Sequence, residues 1–74
     1  MGNSKCRIYF SGYYQVAYAA ELLGRYRIDS RITRAPVNIK NSCSFVLMIS
    51  AENLEKSRTI FEREKMSIRK IEYV

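Results

Sequence analysis

The sequence has no histidine and no tryptophan, one proline (Pro36), three glycines and two cysteines (Cys6 and Cys43) among its 74 residues. The lack of histidine excludes Ser-His-Asp and Cys-His catalysis, histidine-ligated zinc and the usual general base near neutral pH. Two cysteines are too few for a disulfide-dense scaffold. The apolar run Phe45-Val46-Leu47-Met48-Ile49 is far too short to span a membrane. The opening Met-Gly-Asn-Ser-Lys-Cys has no apolar stretch after its lysine, so it does not read as a secretory signal. Cys6 also stands where the myristoylation pattern requires Ser or Thr. A cytoplasmic location with reduced thiols is the expectation.

What is present fits one small domain. Apolar residues make up 47% and charged residues 27%, close to globular averages. We expect a single domain over residues 1–74, with residues 1–4 as a flexible tail. A chain of this length buries only about 60% of the surface its unfolded form exposes, so its stability margin is thin. The net charge of +6 is unevenly spread. Residues 25–40 carry Arg25, Arg27, Arg31, Arg34 and Lys40 against Asp29 alone, which concentrates most of the excess in one stretch. Such a charge keeps a small domain soluble; gathered along Arg27, Arg31 and Arg34, it would also form an anion-attracting patch.

The hydrophobic pattern divides into six segments. Cys6, Ile8 and Phe10 alternate, which predicts a strand. Ser11-Gly12 supplies a turn and a candidate N-cap. From Tyr13 to Tyr26 the apolar positions Val16, Ala19, Ala20, Leu23 and Tyr26 recur every three or four residues, one face of a helix. Ile28 to Thr33 returns to alternation with arginines on its other face, as expected of an edge strand. Pro36 ends it, and residues 35–42 read as a loop. Phe45 to Ile49 is apolar on both faces and predicts a central strand. Ser50 is the expected cap of a second helix, Ala51 to about Lys65, whose inner side would hold Leu54, Ser57, Arg58, Ile60 and Phe61. Ser67 to Tyr73 alternates again as a last strand.

The order βαββαβ predicts an α+β domain of the ferredoxin-like plan, with two helices on one face of four strands. In that plan we expect the first and third strands to be parallel at the centre and the second and fourth to be edges.

The position with chemistry to offer is Cys43, between the polar loop and the third strand. Thiolate is the reactive form of cysteine, and nearby cations such as Lys40 and the arginines of the second strand favour it; a buried packing cysteine is the plainer alternative. At this loop the chain resembles a family of small selenium/sulfur-carrier-like domains, whose members carry a Pro-x-x-Ile-x-x-x-Cys-Gly loop. Pro36, Ile39 and Cys43 match at that spacing, and the likeness continues into Glu52-Asn53-Leu54-Glu55-Lys56. Ser44 stands where the family usually has glycine, a residue that tolerates close backbone approach at less cost. The resemblance implies a carrier with one thiol, Cys43, served by a sulfur- or selenium-donating enzyme. Lys40, Ser44 and Cys6 are its candidate neighbours. If the central strands are parallel, Cys6 and Cys43 lie at one end of the sheet, where a reversible disulfide competes with two separate thiols.

Other functions find less support. A nucleic-acid module would display aromatic and basic residues on the third strand, and Phe45 to Ile49 has one aromatic and no charge. A small interaction or regulatory module is the stronger alternative. Tyr9, Val46 and Met48 beside Arg7 would make an apolar patch on the open sheet face, suited to a homodimer. Independent catalysis has no constellation behind it. Glu21, Glu52, Glu55, Glu62 and Glu64 read as solvated helix charges, and no metal-ligand spacing or cofactor motif accompanies them. Tyr13 and Tyr14, at the first helix N-terminus, read as packing residues that could border an anion.

Overall fold

The computed structural model describes residues 4–35 and 45–74. Among these the chain forms β1 (Lys5–Tyr9), α1 (Tyr13–Arg25), β2 (Arg31–Arg34), β3 (Phe45–Ser50), a single 3-10 turn (Ala51–Asn53), α2 (Leu54–Arg63) and β4 (Lys70–Tyr73). It is an α+β architecture, a four-stranded open sheet in the order β2-β3-β1-β4. No helix among the described residues is long and apolar enough to cross a membrane.

Both helices contribute to one core. Cys6, Ile8 and Phe10 meet Leu47 and Ile49 of β3, Val16, Ala19, Leu22 and Leu23 of α1, and Leu54, Ile60 and Phe61 of α2. Phe10 and Phe61 pack edge to face with centroids 5.5 Å apart, the arrangement the ring quadrupoles favour. The expected helix faces hold, with two exceptions. Tyr26 and Arg58, assigned to inner faces, are exposed. Tyr26 is the C-cap residue, past the last turn of α1, and Arg58 lies at the margin of its apolar stripe, where Ile60 takes the buried place.

Every neighbouring pair of strands is antiparallel, which overturns the parallel pairing expected of β1 and β3. Their register runs from Lys5 opposite Ser50 to Ile8 opposite Leu47. The reason lies in the connections. Each helical crossover makes its two strands run the same way, but the β2–β3 link reverses the second unit against the first. The central positions of β1 and β3, and the edge positions of β2 and β4, are as expected.

The helix ends explain where the strands begin. At the end of α1, Arg27 donates to the Gly24 carbonyl at 3.1 Å and Ile28 to the Leu23 carbonyl at 2.9 Å, with Arg27 at φ 60°. At the end of α2, Lys65 donates to Glu62 at 3.0 Å and Met66 to Phe61 at 2.9 Å, with Lys65 at φ 58°. These are two Schellman caps, each with a left-handed cationic residue in the place usually given to glycine. Ile28 and Met66 spend their N–H groups on the caps. The second strand therefore starts at Arg31 rather than Ile28, and the last at Lys70 rather than Ser67. At the other ends, neither Gly12 nor Ser50 makes a side-chain capping bond, and α2 opens through the 3-10 turn.

Candidate functional site

The chain leaves the sheet at Arg34 and re-enters it at Phe45, and these two residues face each other in the β2–β3 register. Ile32 and Leu47 belong to the helix side, so alternation puts Arg34 and Phe45 on that side too. There the Arg34 guanidinium lies 5.6 Å from the centre of the Phe45 ring. Tyr13, the first residue of α1, meets the same ring at 5.2 Å and 68°. A cation and the N-terminus of a 13-residue helix are thus gathered where the 35–44 connection departs. Gly12 at the N-cap brings no side-chain acceptor to that helix end, and its first turn has no acidic residue. The positive end of the helix dipole is therefore not offset by a carboxylate of its own. Cys43, Lys40 and Ser44 lie outside the described residues, as do Pro36 and Ile39.

Cys6, the other cysteine, is a free thiol in the core with no exposed surface. Burial pushes its pKa up, which disfavours the reactive thiolate. In the antiparallel register Cys6 stands opposite Ile49, four residues along β3 from Phe45. Cys6 and Cys43 were expected at one end of the sheet only if β1 and β3 were parallel, and these strands are antiparallel.

The three patch arginines are not displayed on one face. Arg31 pairs with Met48 and Arg34 with Phe45, three positions apart on a strand, so they point to opposite sides of the sheet. Arg27 sits in the left-handed turn after α1. All three are exposed near the β2 edge, with Asp29 as the acidic residue between them.

The open sheet face holds a polar cluster that composition gave no hint of. The registers align Arg31, Met48, Arg7 and Glu72 across the sheet, with Thr33, Val46, Tyr9 and Lys70 beside them. Glu72 Oε1 accepts from Arg7 at 2.7 Å and from the Tyr9 hydroxyl at 2.9 Å. The Lys70 ammonium stands 5.6 Å over the Tyr9 ring. The hydrogen bond from Arg7 holds Glu72 below the usual carboxylate range, with Tyr9 adding to it. That same bond raises Arg7, and burial raises the Tyr9 phenol. Tyr9 and Val46 are buried, so the exposed apolar patch expected around them is not there. For Tyr9 the reason is plain, since Glu72 and Lys70 cover it. Only β4 could have signalled this cluster: its lone Glu72 lies between Lys70 and Tyr73 on an otherwise cationic strand and linker.

A family model described as "Putative Se/S carrier protein-like" matches residues 5–72. No curated protein and no solved structure matches the chain.

Proposed function

The chain belongs to this Se/S carrier-like family, and from that premise we propose that it carries sulfur or selenium on the thiol of Cys43. The family match is the observation that carries the reading. In the loading step the Cys43 thiolate attacks the terminal sulfur of a donor enzyme's persulfide. A Cys43 S–S bond forms, the donor's S–S bond breaks, and the donor leaves as a thiolate, with no net change of oxidation state. Delivery is the same exchange run onto an acceptor's nucleophile, which returns the Cys43 thiolate. Selenium takes the place of the terminal sulfur in the parallel case.

The surroundings of the 35–44 connection support this chemistry. Cys43 is two residues from Phe45, so bond geometry holds the two Cα atoms within about 7 Å. Arg34 and the α1 N-terminus both touch Phe45 or stack on it, and each favours an anion over its neutral form. Lys40 and Ser44 remain the nearest candidate neighbours by sequence. Arg27 and Arg31, at the β2 edge, would meet an acidic surface on the donor. The ferredoxin-like plan is the scaffold we assign to this reading. It is supported by the strand order and by a helix in each crossover.

The test is mass spectrometry after incubation with a cysteine desulfurase and cysteine. One sulfur should be gained on Cys43 and none on Cys6, and the Cys43→Ser variant should gain none. A wild-type chain that gains no sulfur at Cys43 refutes the proposal.

A further inference from the structure

The two edges of the sheet offer different things to another strand. Val74 donates to the Lys5 carbonyl at 2.8 Å. Antiparallel pairing then turns the backbone groups of residues 70 and 72 toward β1 and those of Ile71 and Tyr73 outward, while the Arg69 N–H is spent on the Tyr9 carbonyl at 2.8 Å, so position 69 has no N–H to offer a further strand. We infer that this outer edge of β4 is the docking surface for a second copy of the chain, the two β4 strands pairing antiparallel about a twofold axis at Ile71.

The side chains suit that register. With Ile71 opposite Ile71, Lys70 of each copy faces Glu72 of the other on the open face, and opposite charges across a strand pair are favourable. Glu72 commits Oε1 to Arg7 and Tyr9, while its Oε2 has Lys70 of its own chain at 3.9 Å. A second ammonium can therefore approach Oε2 without displacing the internal bonds. On the helix side, Tyr73 is 69% exposed. Pairing brings it opposite position 69 of the second copy, beside a groove where Met66, Ile68 and Ile71 alternate with the charged Arg58, Glu62 and Arg69. This places an exposed aromatic ring, with its hydroxyl, against a mixed apolar and charged surface that otherwise faces water.

The β2 edge offers no such match. Its exposed charges are Arg27, Arg31 and Arg34 against Asp29, and two such edges would repel, one of the ways edge strands avoid self-pairing. The open sheet face, where we expected a homodimer, has Tyr9 and Val46 already buried. Self-association therefore moves from the face of the sheet to its β4 edge.

The experiment is sedimentation equilibrium of the full chain over a wide concentration range, with two variants. Tyr73→Pro removes an N–H that only the second copy would use and leaves the β1 ladder intact. Lys70→Glu sets like charges opposite each other twice. The unaltered chain should form a reversible dimer, and each variant should weaken it by about tenfold or more. Cys43→Ser should dimerise normally, since this inference does not depend on the carrier reading. A chain that stays monomeric throughout, or a dimer that neither variant weakens, overturns the inference. Lys70→Glu keeps the test decisive if Tyr73→Pro does not fold.

Discussion

Replacing Ser57 with alanine should make this protein more stable. Ser57 lies on the inner side of α2 with no exposed surface, and its Oγ has no hydrogen-bond partner among the described residues. A buried hydroxyl without a partner costs about 1–3 kcal/mol, because it gave up water and received nothing in return. Alanine also favours the helix over serine by about 0.5 kcal/mol. Against this stands the loss of one oxygen atom's dispersion contacts, about 0.1–0.2 kcal/mol for each of several neighbours. The net gain is about 1 kcal/mol, which in a domain of this size raises the unfolding midpoint by about 4–8 °C. Thermal unfolding followed by circular dichroism, with a urea titration to check that the denaturant slope is unchanged, measures it. Ser57→Val serves as a control, since its added methyl groups have to fit between α2 and the core and should cost about 1–3 kcal/mol. An unchanged or lowered midpoint for Ser57→Ala would show that the hydroxyl is not the liability described.

Two further substitutions probe the backbone and the open face. Lys65→Gly should raise stability by about 0.5–1 kcal/mol, because the φ of 58° is strained for lysine and free for glycine. A lowered midpoint in thermal unfolding would count against strain at that cap. Glu72→Gln should destabilise the chain near neutral pH, since the folded state holds Glu72 in its charged form. A lowered carboxylate pKa adds stability above its unfolded value, about 4.3, and that stability is lost as pH falls through the folded value. The difference in midpoint between wild type and Glu72→Gln should therefore close on acidification below about pH 4. A difference that persists into strong acid would mean that Glu72 acts through packing and not charge.

Much of the scaffold was legible in the sequence. The recurrence of Val16, Ala19 and Leu23 gave the inner face of α1, and the two-sided apolar run at Phe45–Ile49 gave the central strand. Strand direction was present in the order of elements and misread: a crossover keeps β1 and β2 running the same way and the direct link reverses β3, so β3 runs against β1. The helix ends were hidden for a different reason. A left-handed cap usually announces itself with glycine or asparagine, and here Arg27 and Lys65 occupy the position. The charge excess of residues 25–40 was legible and its three arginines are exposed near the β2 edge, but how they divide between the two faces of the sheet needed the register of β2 against β3. Of the site, the sequence singled out Cys43, which lies outside the described residues, and noticed Tyr13 as a possible border. The contacts of Arg34 and Tyr13 with Phe45 needed the register between β2 and β3 and the docking of α1, both tertiary facts.

The caps at the ends of α1 and α2 also decide where this small chain can change over evolution. Each fixes by paired hydrogen bonds how the backbone returns to the sheet, so lengthening either return would forfeit those bonds and misalign an edge strand. Related chains should therefore keep the lengths of these two returns.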